Sequence, residues 1–504
     1  MTQHPTQPEP SVDPQTTNGA PPRGGFASPR LDRPLAILAG LVLLGLFVLT
    51  VIGQNAAPPP EAEQGSPQLG LRVLELEARY LVGTNEIATA SGSSQTETLL
   101  ANAERMETGS VGQRLRHVAV VLELGGVEPA AAALQRLEVD LETTSHVPTD
   151  DEAATQRRLH SLLGSAAGDP SALEQSDREA LRSSLGWFGD LILAPRDGDP
   201  AARQAVVGPA VRLVWGILTL VTVAAISGLV GFAGLVIVIV LLSTGAMRLG
   251  FRPGARRSSV YLETFAAWFV VFMGLSIVGE LAFASGTIAA QLGVGMVAMF
   301  ASLVVLAWPT IRGIPFGEVR DAVGLRAPRG VIMEMLAGAA AYAMSLPVVG
   351  VGLMIMLLLM WITGGGGMGT PAAEEPFQSV EIPAHPIIEL VASGDFTAKL
   401  IAVLLASVAA PIVEEIMFRG VLYRFLRDAS TRLGTLVSVL FSGLVGGFIF
   451  AAIHPQGWMA IPALMALALG FSMAREWRSS VLPGIVGHAI NNSAVTCILL
   501  LAFG

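Results

Sequence analysis

Nine stretches of the chain are apolar and nearly free of charge, and polar, Gly-rich or Pro-rich segments separate them. They lie near residues 34–52, 213–246, 261–284, 287–308, 331–362, 400–413, 433–454, 458–474 and 481–503. Runs of this length and polarity are membrane-helix candidates. They predict an all-α, polytopic transmembrane bundle of about nine spans. One long interval breaks the pattern. Residues 61–205 carry 23 acidic and 12 basic residues, a net charge of −11. Segments such as Leu71–Tyr80 and Ala131–Asp140 there have helical spacing and few β-branched residues. The expected layout is a disordered tail over 1–33, rich in Pro, Gln, Thr and Gly. A first transmembrane helix (34–54) follows, then an acidic α-helical extramembrane domain (61–205) between the first and second spans, transmembrane helices over 210–309, and a membrane core over 310–504.

Arginine sets the orientation, because Lys399 is the single lysine. Arg23, Arg30 and Arg33 precede the first span, and Glu61 and Glu63 follow it. The positive-inside rule therefore places the N-terminus in the cytoplasm and the 61–205 domain outside. Arg248, Arg252, Arg256 and Arg257 should then be cytoplasmic, so the run 213–246 crosses an odd number of times; a single crossing is expected, despite Gly228, Gly231 and Gly234 in its middle. The acidic loop 364–396 falls outside by the same rule. The first run lacks a small-residue cleavage site before Pro58-Pro59-Pro60 and is read as a span, not a cleaved signal peptide. The expected location is a bacterial inner membrane. The chain is 52% hydrophobic and 14% charged, which excludes an ordinary soluble domain. Its formal charge of −9 argues against a nucleic-acid partner. The single cysteine, Cys497, excludes a disulfide framework and a Cys-rich zinc site.

Polar residues inside the apolar runs carry the candidate chemistry. Pro411–Gly420 holds Glu414, Glu415 and Arg419; Phe450 and His454 end one later run, and His488 and Asn492 lie in the last. Ionisable groups at membrane depth are costly and usually functional. Glu415 and Arg419 are four apart, share a helix face and can pair; Glu414 projects about 100° away. Glu414, His454, His488 and Asn492 can together activate water, hold a metal or stabilise an oxyanion. Phe450 is expected to pack beside His454. Glu263, Glu280 and Glu334 read as helix-end or interhelical contacts, and His385, between Pro383 and Pro386, as loop. No HExxH helix, GxSxG elbow or GxGD site is present, and Ser442 and Ser493 have no spacing that makes them nucleophiles.

The order EExxxR, FxxxH, HxxxN, each in an apolar run, resembles the CPBP family of intramembrane proteases. That family includes the type II CAAX prenyl endopeptidases and the bacterial proteins grouped under abortive infection and bacteriocin self-immunity. The resemblance covers roughly 310–504 and implies an intramembrane endopeptidase acting on a membrane-associated, CAAX-type prenylated or other, protein or peptide. It implies Glu414 as general base with His454 helping to activate water, His488 and Asn492 stabilising the oxyanion, and Glu415 with Arg419 orienting Glu414. Zinc held by Glu414, His454 and His488 stays open, since one Glu and two His make a three-ligand set. The rival readings are a proton-coupled transporter, against which the chain shows no inverted repeat, and a scaffold that keeps these residues as structural contacts. Straight-helix geometry opposes a shared site. From Arg432, His454 climbs about 33 Å, whereas Glu414 and His488 lie toward the inner ends of their helices. Gly443, Gly446 and Gly447 are expected to break or tilt that helix, and Pro455 to end it inside the protein.

Overall fold

The structure, a computed structural model, describes residues 32–56, 67–165, 168–255, 257–362, 395–454 and 456–503. Most of the expected 1–33 tail, the loop with His385, and Pro455 lie outside the described residues. Among those described there are helices and no strands. In chain order the helices are α1 (Asp32–Ala56), α2 (Pro67–Ala90), α3 (Thr96–Ala103), α4 (Val111–Gly125), α5 (Val127–Thr144), α6 (Asp150–Leu163), α7 (Gln175–Leu185), α8 (Trp187–Leu193) and α9 (Pro200–Ser243). They continue as α10 (Ser259–Ala282), α11 (Ile288–Ile311), α12 (Phe316–Val323), α13 (Val331–Ile362), α14 (Phe396–Ala429), α15 (Thr435–Ala452), α16 (Ile461–Arg478) and α17 (Leu482–Phe503). Eight of them, α1, α9, α10, α11, α13, α14, α15 and α16 with its preceding turn, are long and apolar enough to cross a membrane. The stretch expected as a ninth span is helical as α17, which is not among these eight, with His488, Asn491 and Asn492 in mid-helix. This is an all-α polytopic bundle, a multi-pass membrane protein.

Helices α2–α8 enclose a core of their own, built on Leu81, Leu115, Val118, Leu137, Leu159, Leu181 and Phe188. Capping boxes at Ser110 with Gln113 and Thr149 with Glu152 start α4 and α6 by satisfying amides left free at a helix N-terminus. Residues 213–243 of that run are part of one unbroken helix, so the single-crossing expectation agrees with the structure. That helix begins earlier than the apolar run does. Asp199 caps it by accepting from the Ala201 and Ala202 amides, and Pro200 occupies its first turn. Its 44 residues extend about 66 Å, twice a hydrocarbon core. The surplus turns pack on the acidic domain: Val207 joins Val82 and Leu191, and Arg203 bridges Glu86 of α2 and Glu123 of α4. No linker therefore separates residue 205 from the membrane helices; α9 is a rigid post common to both.

The membrane bundle packs around α14. Val413, Met417, Phe418 and Val421 of that helix meet Phe265 and Trp268 of α10, Phe450 of α15 and Val481. Buried ion pairs tie other helices: Arg312 holds Glu263 at 3.0 Å, and Arg478 holds Glu334 at 2.7 Å, so both glutamates make the interhelical contacts expected of them. The depth conflict has a simple resolution. Helix α14 continues fifteen residues past Glu414, to Ala429, and its end is stitched to the start of α15 by Ser430 with Ser438 (2.6 Å) and Ser442 (3.2 Å) and by Arg427 with Ser438. From that stitch Glu414 lies thirteen residues up α14 from Arg427, and Ala452 fourteen up α15 from Ser438. Both climbs are about 20 Å. The glycines do not break α15, which is continuous over Thr435–Ala452. Instead Gly443 and Gly447 let α16 approach, since a Cβ at Gly443 would lie 2.7 Å from Leu469.

Candidate active site

Helix α14 alternates in winding. Its α-helical turns are interrupted by π-helical segments at Leu405–Ala409 and Glu415–Leu422, which flank the short α segment Ala410–Glu414. π-Turns are rare and concentrate at functional sites. They leave carbonyls out of the regular ladder, and side chains of neighbouring helices reach into both segments. Asn492 of α17 donates to the Ala406 carbonyl at 2.8 Å, and buried Arg475 of α16 donates to the Arg419 carbonyl at 3.3 Å. These contacts hold the two glutamates in place.

Glu415 is fully buried, with 0% of its side chain exposed, and its Oε1 lies 2.7 Å from Arg419 Nη1. The same oxygen accepts from His488 Nδ1 at 3.0 Å. Gly484 makes this burial possible, because a Cβ there would sit 2.6 Å from Glu415 Oε2. Arg419 lies between two rings, 4.7 Å from Phe450 and 5.5 Å from Phe471, which stabilise a desolvated cation. Phe471 also stacks on His488, with centroids 5.4 Å apart.

Glu414 faces the other way and retains 18% exposure, as His454 retains 19%. Its Oε2 lies 4.0 Å from His454 Nε2 and 3.8 Å from His488 Nε2. Each imidazole is oriented through its other nitrogen. His488 Nδ1 faces Glu415, and His454 Nδ1 is 2.6 Å from the Phe450 carbonyl. A carbonyl can only accept, so His454 Nδ1 carries a hydrogen and Nε2 is the atom turned to Glu414. His488 thus bridges the two glutamates, although helical projection alone sets them about 100° apart. Separations of 3.8–4.0 Å suit two polar groups that share one water.

The same distances test the zinc reading. Tetrahedral zinc with ligands at 2.0–2.1 Å places donor atoms about 3.3 Å from one another. Glu414 Oε2 stands wider than that from both Nε2 atoms, and no group of three His, Cys, Asp or Glu that could hold a metal occurs among the described residues. As arranged here they do not fit zinc.

Glu414, Glu415, Arg419, His454 and His488 therefore converge. Asn492 is in the same region, but its amide is engaged with Ala406, and its Oδ1 accepts from Asn491 at 3.1 Å. Phe471, Arg475 and Gly484 carry no spacing signal in the sequence; they emerge only from packing. Glu280 stands apart, lining a cavity of about 670 Å³ between α10, α11 and α14.

Residues 396–494 match the family model of the type II CAAX prenyl endopeptidases, Rce1-like. The matched segment contains all three motifs. No curated protein and no solved structure matches the chain.

Proposed function

We propose that the chain is an intramembrane endopeptidase that hydrolyses a peptide bond of a membrane-associated protein or peptide, with Glu414 as general base. The observation that carries this reading is the juxtaposition of a partly accessible Glu414 with two imidazoles, each fixed through its remote nitrogen. A water held between Glu414 Oε2 and His454 Nε2 loses a proton to Glu414 as its oxygen attacks the scissile carbonyl carbon. The carbonyl π electrons move onto oxygen. When the tetrahedral intermediate collapses, the amide nitrogen leaves and takes the proton from Glu414, giving a carboxylic acid and an amine.

His488, fixed at Nδ1 by Glu415, turns Nε2 toward Glu414 and is the residue assigned to the oxyanion. Glu415 and Arg419 are positioning residues, and so is Asn492, through the Ala406 carbonyl. The arginine-rich ends of the helices support a cytoplasmic N-terminus with the acidic domain on the far side.

Purified protein in nanodiscs, given a library of peptides tethered by a C-terminal lipid, with prenylated and acylated versions, tests the reaction class. Mass spectrometry should find products with new carboxyl termini, formed equally in the presence of chelator. A library left wholly intact would remove the protease reading in favour of a scaffold or transporter.

A further inference from the structure

At the arginine-rich end of the bundle, away from Glu414, two cavities meet. One, of about 520 Å³, is lined by Arg248, Arg326, Arg329 and Arg478 together with Met247 and Trp477. The other, of about 210 Å³, runs inward between α9, α13 and α16 and is almost wholly apolar, with Leu242, Met344 and Val348 in its wall. Met247 and Trp477 belong to both, so a basic mouth opens directly onto an apolar slot. Of the four arginines, Arg478 is neutralised by Glu334, at 2.7 Å. Among the described residues Arg326 has only Asp321 as an ion-pair partner, at 3.8 Å. Arg248 and Arg329 are exposed and have no ion-pair partner among the described residues. No carboxylate among the described residues lines the mouth.

The geometry points to a binding site for a phospholipid with a net-anionic headgroup, its phosphate at Arg248 and Arg329 and one acyl chain in the slot. Charge selects the headgroup. Guanidinium forks match phosphate oxygens, and with no carboxylate in the mouth nothing receives the ammonium of a zwitterionic lipid. Depth selects a lipid over a soluble anion. The slot follows the last turns of α9 and lies beside Trp477, a residue type suited to the membrane interface.

Native mass spectrometry of the full-length protein, titrated with phosphatidylglycerol and phosphatidylcholine of identical chains, tests this. Phosphatidylglycerol should be retained preferentially, with the preference falling as ionic strength rises. At about fivefold per arginine, Arg248→Gln with Arg329→Gln should cut its retention about 25-fold. Both side chains are exposed, so this variant should fold normally. Val348→Trp, which fills the slot, should weaken phosphatidylglycerol while leaving any glycerol 3-phosphate binding unchanged. Equal retention of the two lipids, or no effect of the double arginine substitution, would overturn the proposal. So would full displacement of the lipid by glycerol 3-phosphate, which would make this a soluble-phosphate site.

Discussion

Replacing Glu415 by Gln keeps the shape of the side chain and removes its charge. In the native protein that charge is 2.7 Å from Arg419, on a side chain with no exposure. Arg419 itself is 3% exposed, and its two terminal nitrogens find no other hydrogen-bond partner among the described residues. Its remaining neighbours are the faces of Phe450 and Phe471, which offset only about 1–2 kcal/mol of a desolvated cation. Breaking a buried pair costs about 3–5 kcal/mol, so Glu415→Gln should lower the folded-to-unfolded ratio by at least roughly 10²-fold. Adding Arg419→Met removes the orphaned cation and leaves an apolar side chain between the two rings. The double variant should recover much of the loss, since apolar replacement of a buried pair is often neutral. Activity should not recover with it, because His488 then has no carboxylate to orient its imidazole. Denaturant titration in mixed micelles gives stability, and single-turnover cleavage gives activity. A double variant no more stable than Glu415→Gln alone would refute the ion-pair reasoning.

Three further outcomes follow from the same structure. Gly484→Ala places a methyl 2.6 Å from Glu415 Oε2; overpacking of this kind costs about 1–3 kcal/mol, so melting temperature and turnover should fall together. Asn492→Leu frees the Ala406 carbonyl and should lower kcat by up to about 10²-fold, with KM nearly unchanged, through misplacement of Glu414. In the acidic domain, burial pulls His117 down to about 4, against the opposing charge of Glu107. Below its unfolded pKa of about 6.5 the unfolded chain binds the proton first, so stability conferred by neutral His117 is complete above that pH and lost as pH falls toward 4. The loss is about 3 kcal/mol, and His117→Leu should flatten the pH dependence of thermal unfolding between pH 4 and 6.5.

Much of this was legible because the bilayer makes polar residues conspicuous. An apolar run containing Glu414, Glu415 and Arg419 leaves few alternatives to a paired or functional role, and the four-residue spacing of Glu415 and Arg419 places them on one face. The EExxxR, FxxxH and HxxxN order brought the two histidines to the same glutamate. What stayed hidden depends on three-dimensional packing. The π-turns of α14 have no local spacing signature, so the projection of Glu414 and Glu415 was drawn for a regular helix and missed that His488 reaches both. The apparent mismatch in depth came from measuring the climb of His454 from Arg432; from the Ser430–Ser438 contact that joins α14 to α15, both climbs are about 20 Å. Asn492 has the chemistry of an oxyanion donor, and only the Ala406 carbonyl, exposed by a π-turn, shows where its amide is engaged.

The central claim is that Glu414 moves the proton that opens the peptide bond. Glu414→Gln preserves size and hydrogen-bonding capacity, and no guanidinium is left unpaired, since Arg419 is held by Glu415. The measurement is single-turnover cleavage of a bilayer-tethered peptide by wild-type and Glu414→Gln proteins of matched thermal stability in nanodiscs. Loss of a general base predicts a rate about 10²–10⁴-fold lower with an unchanged unfolding curve; cleavage by Glu414→Gln at the wild-type rate would contradict it.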